Sequence, residues 1–174
     1  VQWQMRPYKT LDDVFEQAEF FVDAVSDYKS DFVLFPEYFN APLMAKFNHL
    51  GEAQSIRGLA QYTEEIRERF VNLAISYNIN IITGSMPLLK EDGALYNVGY
   101  LIRRDGSYEM YEKVHVTPDE QKSWGLSGGK MVKTFDTDCA RIGVLICYDV
   151  EFPELSRIMA DQGMQILFVP FLTD

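Results

Sequence analysis

Three residues of this chain have side chains that could act together in covalent chemistry: Glu37, Lys113 and Cys147. A cysteine attacks a carbonyl carbon as its thiolate, so it needs a base or a cation nearby. Glu37 could take the thiol proton and later activate water, and Lys113 could lower the pKa of the thiol. Lys113 could also stabilise an oxyanion, with the backbone N–H of Tyr148 as a second donor. The three types therefore suit a hydrolase with a cysteine nucleophile.

Each of these residues also has an ordinary structural interpretation. A free cysteine is most often an inert, buried small hydrophobe. A glutamate after a strand or a lysine after a hairpin is usually a solvated surface charge. The catalytic interpretation therefore depends on whether the elements of the fold bring the three together.

The segment around Cys147 predicts a strand, a sharp turn and a helix. Residues 142–146 form a nearly continuous apolar run, which is typical of a strand covered on both faces, with Cys147 at its last position. Pro153 suits a first helical turn, and Gly163 suits a helix end. A side chain at such a corner lies at the carboxyl edge of the sheet, where open α/β folds bind ligands.

The other predicted elements place Glu37 and Lys113 at similar positions. Glu37 follows a short apolar strand, and Lys113 directly follows a β-hairpin. Long loops are predicted at residues 40–55 and 116–129. The predicted helices cover residues 10–28, 62–77 and 153–163, and the strands cover residues 32–35, 79–83, 95–102, 107–111, 131–135, 140–146 and 166–171. This order predicts one layered α/β domain.

Composition excludes several classes of function. The 174 residues carry a formal net charge of −10, which disfavours a nucleic-acid partner. No run of eighteen apolar residues occurs, so no membrane span or membrane partner is predicted. Two cysteines are too few for a disulfide scaffold and favour a cytoplasmic location. The start without Met and the end just after a predicted strand suggest that residues 1–174 are one domain, truncated at both ends.

Three segments in this order resemble the nitrilase superfamily of carbon–nitrogen hydrolases: 35–37 (FPE), 111–120 (YEKVHVTPDE) and 146–154 (ICYDVEFPE). The resemblance covers essentially the whole chain. It implies a two-sheet α-β-β-α sandwich of the carbon–nitrogen hydrolase type, of which the C-terminal part is missing. It also implies a homo-oligomer and no cofactor, and it is greatest to the branch in which this domain follows an acetyltransferase-like domain.

The resemblance implies roles for individual residues. Glu37 would be the general base, Lys113 the oxyanion-stabilising residue and Cys147 the nucleophile that forms a thioester. Glu120 would be a supporting carboxylate, with Asp119 as a rival for that role. The implied activity is hydrolysis of an amide bond in a small molecule, releasing ammonia or an amine.

Other interpretations of the sequence stay open or fail. The same thioester could be resolved by an amine instead of water, and the domain could be a non-catalytic oligomerisation or binding module. His115 is the alternative base if Glu37 is misplaced. Residues 125–129 match G-x-S-x-G but precede a strand, and no histidine follows them. The histidines and cysteines lack metal-ligand spacing, so no metal is predicted.

Overall fold

The computed structural model describes residues 1–172 and contains four α-helices and nine strands in that range. The helices are α1 (Leu11–Asp27), α2 (Glu52–Leu59), α3 (Thr63–Ser76) and α4 (Pro153–Asp161). The strands are β1 (Phe32–Leu34), β2 (Asn80–Ile82), β3 (Met86–Leu89), β4 (Leu95–Ile102), β5 (Tyr108–Glu112), β6 (Leu126–Ser127), β7 (Thr134–Asp136), β8 (Arg141–Val144) and β9 (Ile166–Phe168). None of the described helices is both long and apolar enough to cross a bilayer.

Helix α1 forms where the sequence provides both a cap and an apolar face. The Thr10 hydroxyl accepts a hydrogen bond from the Asp13 N–H, and the Asp13 carboxylate accepts one from the Thr10 N–H. This reciprocal pair satisfies two donors that a helix start otherwise leaves free. Val14, Ala18 and Val22 are fully buried, so the predicted amphipathic helix is confirmed.

The strands form two mixed sheets. In the first sheet, β1 pairs parallel with β2, and the long strand β4 pairs antiparallel with β2, β3 and β5 and parallel with β6. In the second sheet, β8 lies between antiparallel β7 and parallel β9. The predicted hairpins 95–111 and 131–146 are both present as β4–β5 and β7–β8.

Apolar side chains order these elements into four layers. Ile82 and Leu101 of the first sheet pack against Phe135, Ile142 and Val144 of the second. Helices α1 and α3 bury their apolar faces in the cluster on the outer side of the first sheet. Helix α4 packs on the outer side of the second sheet. The predicted α-β-β-α sandwich is confirmed.

The structure corrects several local predictions. The predicted loop 40–55 contains a 3₁₀ helix at Ala41–Phe47 and the start of α2. A π-helix at Glu120–Trp124 and strand β6 lie in the predicted loop 116–129. Strand β3 contains Pro87. Because a proline in a sequence argues against a strand, no strand was predicted at this position.

Three apolar positions near the second sheet also differ from prediction. The sequence predicts an apolar stripe on α4 at Leu155, Ile158 and Met159, but Ile158 is 45% exposed and only Leu155 and Met159 face the core. The strand predicted at 166–171 ends at Phe168, and Ile166 and Phe171 are exposed. Cys147 lies beyond β8 and begins a 3₁₀ turn at Cys147–Glu151.

Gly84 provides a stability prediction close to Glu37. Its φ is +69°, and an added Cβ would lie 2.0 Å from the carbonyl oxygen of Pro36. We expect Gly84→Ala to lower the free energy of unfolding by about 3 kcal/mol or more, because left-handed strain adds to a backbone clash. Urea unfolding measures this change.

Gly93→Ala is the matched control for that substitution. Gly93 has a φ of +79°, and its added Cβ would have no heavy atom within 4 Å. The control should therefore lose only the strain component, about 1 kcal/mol. Equal losses for the two variants would contradict the close approach of Gly84 to Pro36.

Candidate active site

A buried ammonium group lies between two buried carboxylates at the centre of the site. Lys113 Nζ is 2.9 Å from Glu37 Oε1, 2.9 Å from Glu120 Oε1 and 2.8 Å from Glu120 Oε2. Lys113 is 1% exposed, Glu37 3% and Glu120 5%. All three N–H donors of the ammonium group therefore point to carboxylate oxygens. Two negative charges face one positive charge, in a setting where unpaired charge is costly.

Glu37 is held by the backbone that follows β1. Glu37 forms an isolated parallel bridge with Ser85, and the Tyr38 N–H donates to the Ser85 carbonyl at 2.9 Å. Tyr38 has a φ of +50°, an uncommon value outside glycine. Asn97, on β4, donates from Nδ2 to Glu37 Oε1 at 3.0 Å, and its carbonyl accepts the Lys113 N–H at 2.9 Å. One residue of β4 thus positions both Glu37 and Lys113.

Glu120 is fixed by its own turn and by Tyr38. The Thr117 N–H donates to Glu120 Oε2 at 2.7 Å, and the Glu120 N–H donates to the Thr117 hydroxyl at 3.2 Å. The Tyr38 hydroxyl donates to Glu120 Oε1 at 3.0 Å. The rival carboxylate, Asp119, is exposed. The structure therefore places Glu120, and not Asp119, against Lys113.

Cys147 lies at a strained corner between β8 and α4. Its φ is +47°, a left-handed value that a non-glycine residue adopts only where its surroundings impose it. The Cys147 N–H donates to the Pro170 carbonyl at 2.9 Å, which continues the pairing of β8 with β9 beyond both strands. The thiol is half-buried and lies close enough to Glu37 and Lys113 for both to shift its pKa. Glu37 and Lys113 are hydrogen-bonded to each other, and Cys147 lies beside this pair.

The surroundings of the Cys147 thiol act on its pKa in both directions. Burial raises the pKa of Cys147, and the Glu37 charge and hydrogen bond raise it further. Lys113 and the Leu172 N–H lower the pKa of the thiol, but by less. The expected lowering of the thiol pKa by Lys113 is therefore present, but burial and Glu37 have larger opposing effects, so the net pKa is raised.

Two other site groups have pKa values raised by their surroundings. Burial by itself lowers the pKa of Lys113, but Glu37 and Glu120 together outweigh it, so the net pKa is raised. Burial, followed by the charges of Glu120 and Glu37, raises the pKa of Tyr38 well above its ordinary value. Lys113 is therefore a fixed cation near neutral pH, and the Tyr38 hydroxyl is a hydrogen-bond donor.

The remaining predicted residues lie around the turn after Cys147. Tyr148 is half-buried, and its ring packs edge-on against Phe152 at a centroid distance of 5.2 Å. The His115 ring stacks on Phe152 at 3.7 Å, and its Nδ1 lies 3.2 Å from Asp149 Oδ1. His115 thus has its partners, Asp149 and Phe152, on the turn that follows Cys147.

Sequence reasoning missed Tyr38 and Leu172 as members of this site and noted Asn97 only as part of a hairpin. Leu172 donates from its N–H to Glu37 Oε2 at 3.3 Å. The position of Tyr38 directly after Glu37 could have indicated that it belongs to the site. The Leu172 N–H is a backbone donor, and any residue except proline has one, so the residue type could not have indicated its role. No group of three or more potential metal ligands occurs among residues 1–172.

Comparison with known proteins gives the family. The profile described as carbon-nitrogen hydrolase matches residues 2–173. The chain is 44% identical to the probable hydrolase YhcX of Bacillus subtilis, over 100% of this chain and 34% of that protein. It is 33% identical to human omega-amidase NIT2, over 98% of this chain and 61% of that protein. The chain thus spans about a third to three fifths of these relatives.

Solved structures support the same assignment at the level of fold. A carbon-nitrogen hydrolase from Helicobacter pylori superposes with a TM-score of 0.83 at 22% identity, over 97% of this chain and 57% of that one. Saccharomyces cerevisiae Nit3, a nitrilase-superfamily member, superposes with a TM-score of 0.82 at 24% identity, over 99% of this chain and 63% of that one. These comparisons give no support for a fused acetyltransferase domain, which stays a prediction. The matching profile and the relatives together establish that the chain belongs to the carbon-nitrogen hydrolase family.

Proposed function

We propose that this site hydrolyses the amide bond of a small molecule through a thioester on Cys147. The observation that carries the proposal is a buried, hydrogen-bonded carboxylate–ammonium pair, Glu37 and Lys113, with a half-buried thiol close enough for both groups to shift its pKa. Relatives add support, since human omega-amidase NIT2 is named for amide chemistry. An amidase from Nesterenkonia sp. with the same fold was solved in complex with acrylamide.

In the first step, Cys147 Sγ bonds to the amide carbonyl carbon. The thiol proton passes to Glu37 as the bond forms, because the raised pKa of Cys147 keeps the proton on sulfur until attack. Glu37 Oε1 already accepts hydrogen bonds from Lys113 and Asn97, so Oε2 is the oxygen with capacity for this proton. The C–N bond then breaks, and the leaving nitrogen takes the proton from Glu37.

Lys113 stabilises the negative charge that develops on the carbonyl oxygen. Its three donors are all engaged by Glu37 and Glu120 at rest. The ammonium group therefore acts through its fixed charge, or by turning one donor from a carboxylate to the oxyanion. The N–H of Tyr148, in the first turn after Cys147, is the proposed second donor.

Water completes the cycle in the second step. Glu37 takes a proton from the water as its oxygen attacks the thioester carbon, and the C–S bond breaks. The proton returns from Glu37 to sulfur, so the acid is released and the thiol restored. An amine in place of water would give acyl transfer, and product analysis with added amines distinguishes this reaction from hydrolysis.

Homo-oligomerisation and a cytoplasmic location stay predictions.

The experiment that tests the proposal traps the nucleophile. A mutant of the Nesterenkonia amidase was solved with covalent addition of the acetamide moiety of fluoroacetamide at its active-site cysteine. We expect fluoroacetamide to modify Cys147 of this protein, because the reagent would occupy the amide site before sulfur attacks it. Peptide mapping by mass spectrometry identifies the modified residue.

Cys139 is an internal control in the same sample. It is exposed, so a reagent that acted only by collision would modify Cys139 first. Modification of Cys147 in preference to Cys139, together with ammonia release from a panel of small amides, is the expected result. Modification of Cys139 alone with no ammonia release would contradict the proposal and favour a non-catalytic module.

A further inference from the structure

We propose that Asp149 is a positioning residue that fixes the distance between the Cys147 nucleophile and Lys113. This inference rests on the proposed function, because it concerns the geometry of the same reaction. Asp149 is two residues after Cys147, and the groups that it binds are one and two residues after Lys113.

The Asp149 carboxylate links these two segments directly. Its Oδ2 accepts the Val114 N–H at 3.1 Å, and its Oδ1 accepts the His115 N–H at 2.7 Å. His115 Nδ1 also lies 3.2 Å from Oδ1, and the His115 ring stacks on Phe152 of the same turn. Three contacts to one carboxylate, with a stacked ring beside them, leave little freedom for the two segments to separate.

The backbone of Asp149 makes this link rigid on the cysteine side. The Asp149 N–H donates to the Ile146 carbonyl at 3.0 Å, and the Asp149 carbonyl accepts the Phe152 N–H at 3.2 Å. These bonds enclose Cys147 within one tight turn. A shift of the Asp149 carboxylate would therefore move the strained Cys147 backbone with it.

The link joins parts that otherwise belong to different sheets. Lys113 follows β5 of the first sheet, and its N–H is bound by Asn97 of β4. Cys147 follows β8 of the second sheet and is bound through its N–H to Pro170. A residue that ties the two sheets at this point sets how closely sulfur approaches the Glu37–Lys113 pair.

The energetics of Asp149 also suggest a specific role. It is 1% exposed, and burial raises the pKa of its carboxyl group, although the bonds from His115 and Val114 oppose this. A buried carboxylate is expensive unless it is hydrogen-bonded, and an apolar side chain would fill the space at lower cost. The carboxylate is explained if its two oxygens are needed to hold two successive N–H groups.

The test substitutes Asp149→Asn in the whole protein and follows amide turnover and thiol alkylation. The amide side chain has one acceptor oxygen, so one of the two N–H groups loses its partner. We expect kcat to fall about 10- to 100-fold, with KM changed less than about twofold, because misplacement of reacting groups acts mainly on the chemical step.

The pH midpoint of Cys147 alkylation by iodoacetamide is a second measurement. It should not change if Asp149 has only a structural role. The groups facing the Cys147 thiol are Glu37, which raises its pKa, and Lys113, which lowers it by less. A thiol that moves out of this pocket loses burial and moves away from the Glu37 charge, and both of these raise its pKa. The midpoint of its alkylation profile should therefore shift to lower pH in Asp149→Asn.

Glu151→Gln is the matched control, because Glu151 is an exposed carboxylate on the same turn. It should match the wild type in kcat and in the alkylation midpoint.

Asp149→Glu is the second variant, for the case that Asp149→Asn does not fold. It keeps the charge and both acceptor atoms but has a longer side chain, and the same kcat loss is expected. Wild-type kcat and midpoint in a folded Asp149 variant would overturn the proposal. Absence of amide turnover in the wild type would instead contradict the proposed function, and the alkylation profile would still report the geometry.

Discussion

Cys147→Ala should abolish ammonia release from any amide that the wild type hydrolyses, a loss of at least about 10⁴-fold in kcat. The reason is that the proposed reaction passes through a thioester on the Cys147 sulfur, which Ala lacks. Steady-state ammonia release, measured against a blank without enzyme, checks this loss. The variant should still bind the substrate, so isothermal titration with a good amide should detect a complex without turnover.

The folded state should hardly change in the same variant. The thiol is half-buried and Ala has nearly the same backbone preferences, so the free energy of unfolding should shift by about 1 kcal/mol or less. Cys139→Ala is the control, since it removes the exposed thiol and should keep full activity. Ammonia release at the wild-type rate by Cys147→Ala would show that the nucleophile is another group.

Glu37→Gln should move turnover and thiol reactivity in opposite directions. Without a base, the thiol proton and later the water proton have no acceptor, so kcat should fall about 10²- to 10⁴-fold. Removal of the Glu37 charge also removes a cause that raises the pKa of Cys147, while Lys113 stays to lower it. More thiolate is then present near neutral pH, so iodoacetamide should modify Cys147 faster than in the wild type.

The two measurements together separate a base from a merely structural carboxylate. Lys113 keeps both oxygens of Glu120 as partners in Glu37→Gln, so the variant should stay folded. Glu151→Gln again provides a control for the loss of one negative charge nearby. A fall in turnover together with slower alkylation of Cys147 would point to a disturbed pocket and contradict the assignment of Glu37 as the base.

The sequence predicted the site residues that side-chain chemistry identifies. Glu37, Lys113 and Cys147 each follow an element with a clear pattern: a short apolar strand, a hairpin and a buried strand. Such elements allow their ends to lie at one edge of the fold, and the resemblance of three segments to the nitrilase superfamily implied that the three residues meet there. The order of elements predicted a layered α/β domain, and the resemblance implied its two-sheet α-β-β-α form.

The sequence could not predict the parts that depend on backbone geometry. The turn at Glu120–Trp124 has five residues and no apolar period, so nothing in its pattern distinguished Glu120 from Asp119. The left-handed conformation of Tyr38 and Cys147 is imposed by tertiary contacts. Neither position is a glycine, so the sequence does not indicate a positive φ there. The raised pKa of Cys147 follows from burial and from the nearby Glu37 charge, and both depend on tertiary structure that the sequence does not give.

The hydrogen bond from the Leu172 N–H to Glu37 has a consequence for the order of folding. It joins residues that are 135 positions apart, and the Lys113–Glu37 pair spans 76. Contacts of such high sequence separation require closure of long loops and form slowly in comparison with local hairpins. The hairpin β4–β5 can form early, but the contacts of Glu37 with Lys113 and Leu172 can form only when segments far apart along the chain have met. Recovery of activity during refolding should therefore lag behind recovery of secondary structure.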